Sequence, residues 1–118
     1  CSLITGIEGV SENIRINGII DRYLEHSRIF VFASGGEEKV FIGSADWMPR
    51  NLNNRIEVIT PVYDPVIKKE IKHIVEDGFK DTMQGRIVDG SGKNLFREEE
   101  TPFRSQEALY NHYLNENI

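Results

Sequence analysis

The sequence predicts an α/β (α+β) domain in which a mixed β-sheet is packed by helices. Three observations carry that prediction. Two apolar runs, Arg28 to Ala33 and Lys39 to Ala45, flank the glycine-containing loop Ser34-Gly35-Gly36-Glu37-Glu38 and read as an antiparallel hairpin. Ile67, Ile71, Ile74, Val75, Gly78 and Phe79 recur at three- and four-residue spacing, which is one apolar face of a helix. A second helical stretch, Ser105 to Leu114, closes the chain. At 118 residues this is a single domain, 1–118, with room for one core.

In chain order, Cys1 to Ile4 reads as a short strand, followed by a glycine-punctuated loop, Thr5 to Asn13, of the length that usually either performs a task or is held by a partner. Ile14, Ile16 and Ile19-Ile20 suggest a second extended segment, broken near Asn17-Gly18. In the hairpin loop the two glycines permit positive φ. Pro49, Asn51, Asn53 and Asn54 make a loop with at most a helical turn, after which Arg55 to Thr60 resumes as a strand ending at Pro61. Asp64-Pro65 starts a helix, with a capping oxygen and a proline at the first helical position, and that helix runs to about Asp81. Arg86 to Val88 is a short strand, Asp89 to Gly92 a turn, and Arg97-Glu98-Glu99-Glu100 a solvated loop. In the last helix Leu109, Tyr110, Tyr113 and Leu114 are expected to be partly buried.

Composition narrows the function. Hydrophobic residues at 39% and charged residues at 28% suit a globular protein, and no apolar run approaches the roughly 20 residues that cross a bilayer. The net charge of −5 argues against a general nucleic-acid-binding surface, so any anion site is local. The start shows no basic segment followed by an apolar one, so no signal peptide is expected, and the single cysteine fits a reducing compartment. Because the chain opens on Cys1 and not Met, an excised C-terminal piece of a longer protein is expected.

The chemistry is expected at the strand ends. Alternation places His26 and Arg28 on one face at the mouth of the first hairpin strand. An imidazole exchanges a proton near physiological pH and a guanidinium holds phosphate by a paired fork, so the two suit a phosphate site, although a histidine beside a strand is more often structural. Gly43-Ser44-Ala45-Asp46 follows the second strand, where Ser44 offers a hydroxyl and an amide to an anion, and Arg50 and Arg55 add positive charge at the same end. The alternative for these arginines is a salt bridge to Asp46 or Glu57. Trp47 suits core or rim packing better than base stacking. No Cys/His metal set, GxGxxG or Gly-Lys-Ser/Thr phosphate loop is present.

Leu24-Glu25-His26-Ser27-Arg28, then Gly43-Ser44-Ala45-Asp46-Trp47-Met48-Pro49-Arg50-Asn51-Leu52, then Arg55-Ile56-Glu57-Val58 resemble the C-terminal domain of the bacterial polyphosphate kinase family over most of the chain. That family resembles phospholipase D in its catalytic half, so the resemblance implies a phospholipase D-like domain. Three departures matter: Arg28 replaces the usual lysine, the aspartate that normally follows is missing from the Phe32 to Glu38 stretch, and Asp46 replaces the asparagine of Gly-Ser-x-Asn. A phospholipase D reaction is therefore not expected.

The resemblance implies an ATP:polyphosphate phosphotransferase in which a histidine of the preceding domain takes the terminal phosphate of ATP and passes it to the polyphosphate end. It makes His26 the second histidine of that site, as proton donor or phosphate ligand, and Arg55 a contact of the nucleotide's phosphates. It places a further arginine just upstream of Cys1. It also implies Mg²⁺ with ATP, the preceding domains of the same chain and a homo-oligomer as partners, no nucleic acid, and a cytoplasmic location with membrane association as a variant. The isolated domain is expected to be inactive. A non-catalytic polyphosphate- or nucleotide-binding module and an oligomerisation domain are the alternatives.

Overall fold

The computed structural model describes residues 3–97 and 99–116. The expected mixture of α and β holds. The strands form two small antiparallel sheets, and the chain divides into two compact units, one spanning Glu25–Val75 and the other combining Cys1–Leu24 with Glu76–Ile118.

In the central unit, β2 (Ile29–Phe32) and β3 (Lys39–Gly43) make the predicted hairpin, with Ile29 opposite Ile42 and Phe32 opposite Lys39. The loop between them carries a 3₁₀ turn at Ser34–Gly36, and Gly35 and Gly36 take φ of 67° and 103°, a conformation glycine adopts without a Cβ penalty. Val40 on β3 and Ala45 just beyond it are the buried apolar residues among those described, at 1% and 4% exposure. The third strand, β4 (Ile59–Val62), pairs with β3 and lies at the sheet's edge.

This last strand departs from the sequence reading, which stopped it at Pro61. Pro61 instead sits inside β4 opposite Phe41, because an edge strand needs no donor on its outer side and tolerates the missing N–H. Arg55 to Val58 lead into it outside the ladder. Between β3 and β4, Pro49–Asn54 forms a short helix, α1, with proline in its first turn.

Helix α2 (Pro65–Lys80) starts where the sequence places it. Asp64 Oδ1 accepts the N–H groups of Val66 (2.8 Å) and Ile67 (3.0 Å), and the Asp64 carbonyl accepts Lys68 N–H at 2.9 Å. At its start Lys68 reaches back to the Glu38 carbonyl at 3.2 Å and Lys72 pairs with the Glu38 carboxylate at 2.9 Å.

The other unit is built around β1 (Asn17–Ile19) and β5 (Gly85–Ile87), antiparallel with Gly18 opposite Arg86. The sequence reading broke the chain at Asn17-Gly18, yet these residues are the strand. Gly18 is needed for approach and not for a turn, since a Cβ there would lie 2.9 Å from the Val88 Cγ2 methyl. Leu3 and Ile4 are not in a strand, and the rest of the predicted first strand, Cys1 and Ser2, lies outside the described residues. The Thr5 to Asn13 loop is held by Thr5, whose hydroxyl donates to the Val88 carbonyl at 3.1 Å, and by its own Ser11. Ser11, 4% exposed, donates to the Ile4 carbonyl at 2.8 Å and accepts Ile7 N–H at 3.1 Å, and Gly6 N–H reaches the Ser11 carbonyl at 3.0 Å.

Helix α3 (Ser105–Glu116) is anchored at its start by Asp81, which is fully buried. Its Oδ2 accepts both the backbone N–H and the hydroxyl of Ser105 at 2.7 Å, and its Oδ1 accepts the N–H groups of Met83, Gln84 and Gly85 between 2.7 and 3.0 Å. Burial pushes this carboxyl up, but the donors from Gln84, Ser105 and Gly85 outweigh that and leave it below its ordinary value. One residue before α3, Arg104 forks onto Asp21 at 2.9 and 2.5 Å, which lowers Asp21 and raises Arg104. On α3 Leu109 is half-buried, whereas Tyr110, Tyr113 and Leu114, expected to be partly buried, are exposed. Of the expected solvated loop, Arg97 is half-buried and bonded to the Phe79 carbonyl and to Glu99, Glu99 and Glu100 are exposed, and Glu98 lies outside the described residues.

Candidate active site

Every residue named from the sequence as a site candidate falls in the central unit. The hairpin ladder runs one step past β2, through Gly43 N–H to the Arg28 carbonyl at 3.0 Å, so Arg28 stands at the strand mouth with its backbone fixed. Its guanidinium makes a two-pronged contact with Asp46, Nε to Oδ1 at 2.7 Å and Nη2 to Oδ2 at 3.1 Å. The same Nη2 lies 2.9 Å from His26 Nε2, which confirms that the two side chains share a face. The Arg28 guanidinium beside Asp46 holds that carboxyl below the usual range, and Asp46 in turn raises Arg28.

A second cluster closes the other side. Ser44 donates its hydroxyl to Glu57 Oε2 and accepts Val58 N–H at 3.1 Å, while Ser44 N–H bonds the Val58 carbonyl at 3.0 Å. Asn51 of α1, only 3% exposed, donates to Glu57 Oε1 at 2.8 Å. The Ser44 hydroxyl, then the Asn51 amide, hold the Glu57 carboxyl below its ordinary value. Gly43 permits this closeness, since a Cβ there would meet the Val58 carbonyl oxygen at 3.0 Å.

Asp46 and Glu57 are thus engaged, and neither forms the salt bridge to Arg50 or Arg55 that the sequence left open. Arg50 and Arg55 are exposed and make no hydrogen bond or ion pair among the described residues, although their charges still lower Asp46 and Glu57 from a distance. They are the unengaged cations of the cluster. Arg28 and Ser44 have their polar atoms directed at protein partners. Trp47, 77% exposed, lies against Phe30 with ring centroids 6.0 Å apart and planes 18° from parallel, the rim position expected of it.

His26, Arg28, Gly43 and Ser44 form the polar wall of an open groove of about 660 Å³, whose floor includes Ile71 and Ile74 of α2. What sequence reasoning missed is the pairing. Asp46 was read as part of an anion-binding turn and Asn51 as one of several loop asparagines, and nothing local marks either as a partner of Arg28 or Glu57. Among the described residues no three His, Cys, Asp or Glu side chains gather as a metal cage. No described helix is long and apolar enough to cross a membrane.

Residues 1–106 match the family profile described as polyphosphate kinase C-terminal domain 2. The polyphosphate kinase of Escherichia coli K12 is 45% identical over 114 residues, covering 95% of this chain, and that of Vibrio vulnificus YJ016 is 48% identical over 117 residues, covering 98%. In both, the match spans 17% of the relative's length. The crystal structure of polyphosphate kinase from Porphyromonas gingivalis superposes with a TM-score of 0.92 at 43% identity, over 98% of this chain and 18% of that one. A profile match over nine-tenths of the residues, joined to that superposition, places the chain in the polyphosphate kinase family, as the C-terminal domain of such an enzyme.

Proposed function

We propose that this domain supplies one half of the phosphate site of an ATP:polyphosphate phosphotransferase. The observation that carries the reading is an exposed histidine, held by an arginine, in one strand-end cluster with two exposed arginines that act on Asp46 and Glu57 by charge and have no partner among the described residues. Phosphoryl transfer asks for little else from a protein than positioning and charge neutralisation.

In the reaction, a histidine nitrogen of the preceding domain attacks the terminal phosphorus of ATP. The N–P bond forms as the bond to the bridging oxygen breaks and ADP leaves. The terminal oxygen of polyphosphate then attacks the same phosphorus, and the N–P bond breaks. Arg55 contacts the nucleotide's phosphates, Arg50 adds charge beside them, and His26 hydrogen-bonds the transferring group. Arg28 and Ser44 line the same groove and touch phosphate only by exchanging their present partners. Mg²⁺ enters bound to the nucleotide as part of the substrate, since the basic donor set here suits phosphate oxygens and not a cation. The enzyme works in the cytoplasm, needs the preceding domains of its own chain, and this domain alone does not turn over ATP.

The test is His26→Ala in the full-length enzyme. Synthesis should fall about 10²- to 10⁴-fold, the usual contribution of a positioned proton-transfer group, with thermal unfolding unchanged because His26 is exposed. Near-normal synthesis would refute the role and leave a polyphosphate-binding module acting through Arg50 and Arg55. A contact role in a homo-oligomer is favoured separately by the exposed apolar residues Val10 and Tyr110, at 75% and 65%. A concentration-independent monomer of the full-length enzyme would count against it.

A further inference from the structure

Arg28 has no acceptor atom, because all its guanidinium nitrogens donate. Where its Nη2 lies 2.9 Å from His26 Nε2, that ring nitrogen must therefore be the acceptor, and the neutral imidazole carries its proton on Nδ1. The guanidinium is in turn fixed in plane by the two-pronged contact with Asp46 at 2.7 and 3.1 Å. Both ends of this chain of contacts rest on ordered backbone. Arg28 is tied to Gly43 through the ladder, and Asp46 stands between Ala45, 4% exposed, and Trp47, stacked on Phe30. Nδ1 makes no hydrogen bond among the described residues, and the ring is exposed at the groove's edge.

We propose that Asp46 and Arg28 are positioning residues that fix the tautomer of His26, so that it meets the phosphate as a hydrogen-bond donor through Nδ1–H and not as a base through Nε2. The inference rests on the phosphate-site reading of His26 for its catalytic consequence, but the tautomer is a property of this chain alone. It also gives a use to the two departures from Gly-Ser-x-Asn and its lysine. An aspartate at position 46 accepts a fork, and an arginine at position 28 has a third donor left for the imidazole. A lysine and an asparagine form no planar fork, so the ammonium on its flexible stem would not hold a donor fixed at Nε2, and the ring is freer to take its ordinary preference for a proton there.

The experiment is ¹⁵N NMR of the imidazole nitrogens in the protein labelled at histidine, at a pH where the rings are neutral, with the His26 signals assigned by their loss in His26→Gln. The expected result is a protonated Nδ1 and an unprotonated Nε2 at His26. Arg28→Lys and Asp46→Ala should each move the proton toward Nε2, and Asp46→Asn, which keeps one acceptor oxygen, should move it less. A proton on Nε2 in the wild type overturns the proposal whatever the variants do, as does a wild-type pattern that survives both Arg28→Lys and Asp46→Ala. In the intact kinase Asp46→Ala should lower kcat by about 10²-fold, the scale of a misplaced catalytic group, with KM little changed. If the tautomer is as expected but His26→Ala leaves synthesis intact, the positioning stands and the phosphate-site reading fails. If His26→Ala is inactive while the proton sits on Nε2, the reading stands and the positioning fails.

Discussion

At the scale of single residues, this domain separates cations that hold the protein together from cations that face outward. Arg28 and Arg104 each fork onto a carboxylate, whereas Arg50 and Arg55 are exposed and unpartnered among the described residues. Arg55→Ala should therefore weaken Mg-ATP binding by the full-length enzyme about tenfold at low salt, the order of one charged hydrogen bond, with no change in stability. Isothermal titration at two salt concentrations checks it, and an unchanged affinity would remove Arg55 from the site. Asp81 is the opposite kind of residue. It is fully buried and satisfies five donors, four of them backbone N–H groups, so Asp81→Ala leaves several buried donors without an acceptor. A loss of about 3 kcal/mol or more is expected from denaturant unfolding. A loss under about 1 kcal/mol would mean that water replaces the carboxylate there.

At the scale of elements, local chemistry accounts for α2 and fails for β4. The start of α2 is written locally in Asp64-Pro65, so Asp64→Ala should cost about 1 kcal/mol in urea unfolding, the usual worth of an N-cap. A neutral substitution would show that the Lys68 and Lys72 contacts with Glu38 hold this end instead. The register of β4 is decided by its partner, because β3 already offers its outer edge and Val62 opposite Val40 covers the most buried residue of the hairpin. Pro61 is carried into the ladder by that pairing. The same logic explains β1, where Asn17-Gly18 looks like a turn until Arg86 and Val88 lie alongside.

At the scale of the whole molecule, the acidic balance and the proposed phosphate site are reconciled by distribution. The net charge is −5, yet in this cluster three arginines, Arg28, Arg50 and Arg55, stand against two carboxylates, Asp46 paired with Arg28 and Glu57 held by the neutral donors Ser44 and Asn51. The carboxylates also set the pH response. Asp21, Asp46, Glu57, Asp81 and Asp89 all lie below their ordinary values of 3.8 for aspartate and 4.5 for glutamate. A carboxyl depressed in the folded state contributes stability above its unfolded pKa and loses it as pH falls through the folded one. Stability should thus be insensitive to these groups at neutral pH and decline below about pH 4. Urea midpoints at pH 7, 4 and 3 test this, and a midpoint constant to pH 3 would contradict the pairing described.

The residues alone determine the class of the fold, the β2–β3 hairpin, both long helices and the family, because each is encoded by short-range periodicity, caps and the block of three short stretches between Leu24 and Val58. His26, Arg28, Ser44, Arg50 and Arg55 can be named from that block as well. Which of them are engaged and which are left open is a tertiary property. Asp46 reaches Arg28 across 18 positions and Glu57 reaches Ser44 across 13, distances in sequence at which no local pattern distinguishes a partner from a bystander. The sheet decides it, by bringing the ends of β2, β3 and the approach to β4 to one place, where hydrogen bonds select among charges that look equivalent along the chain.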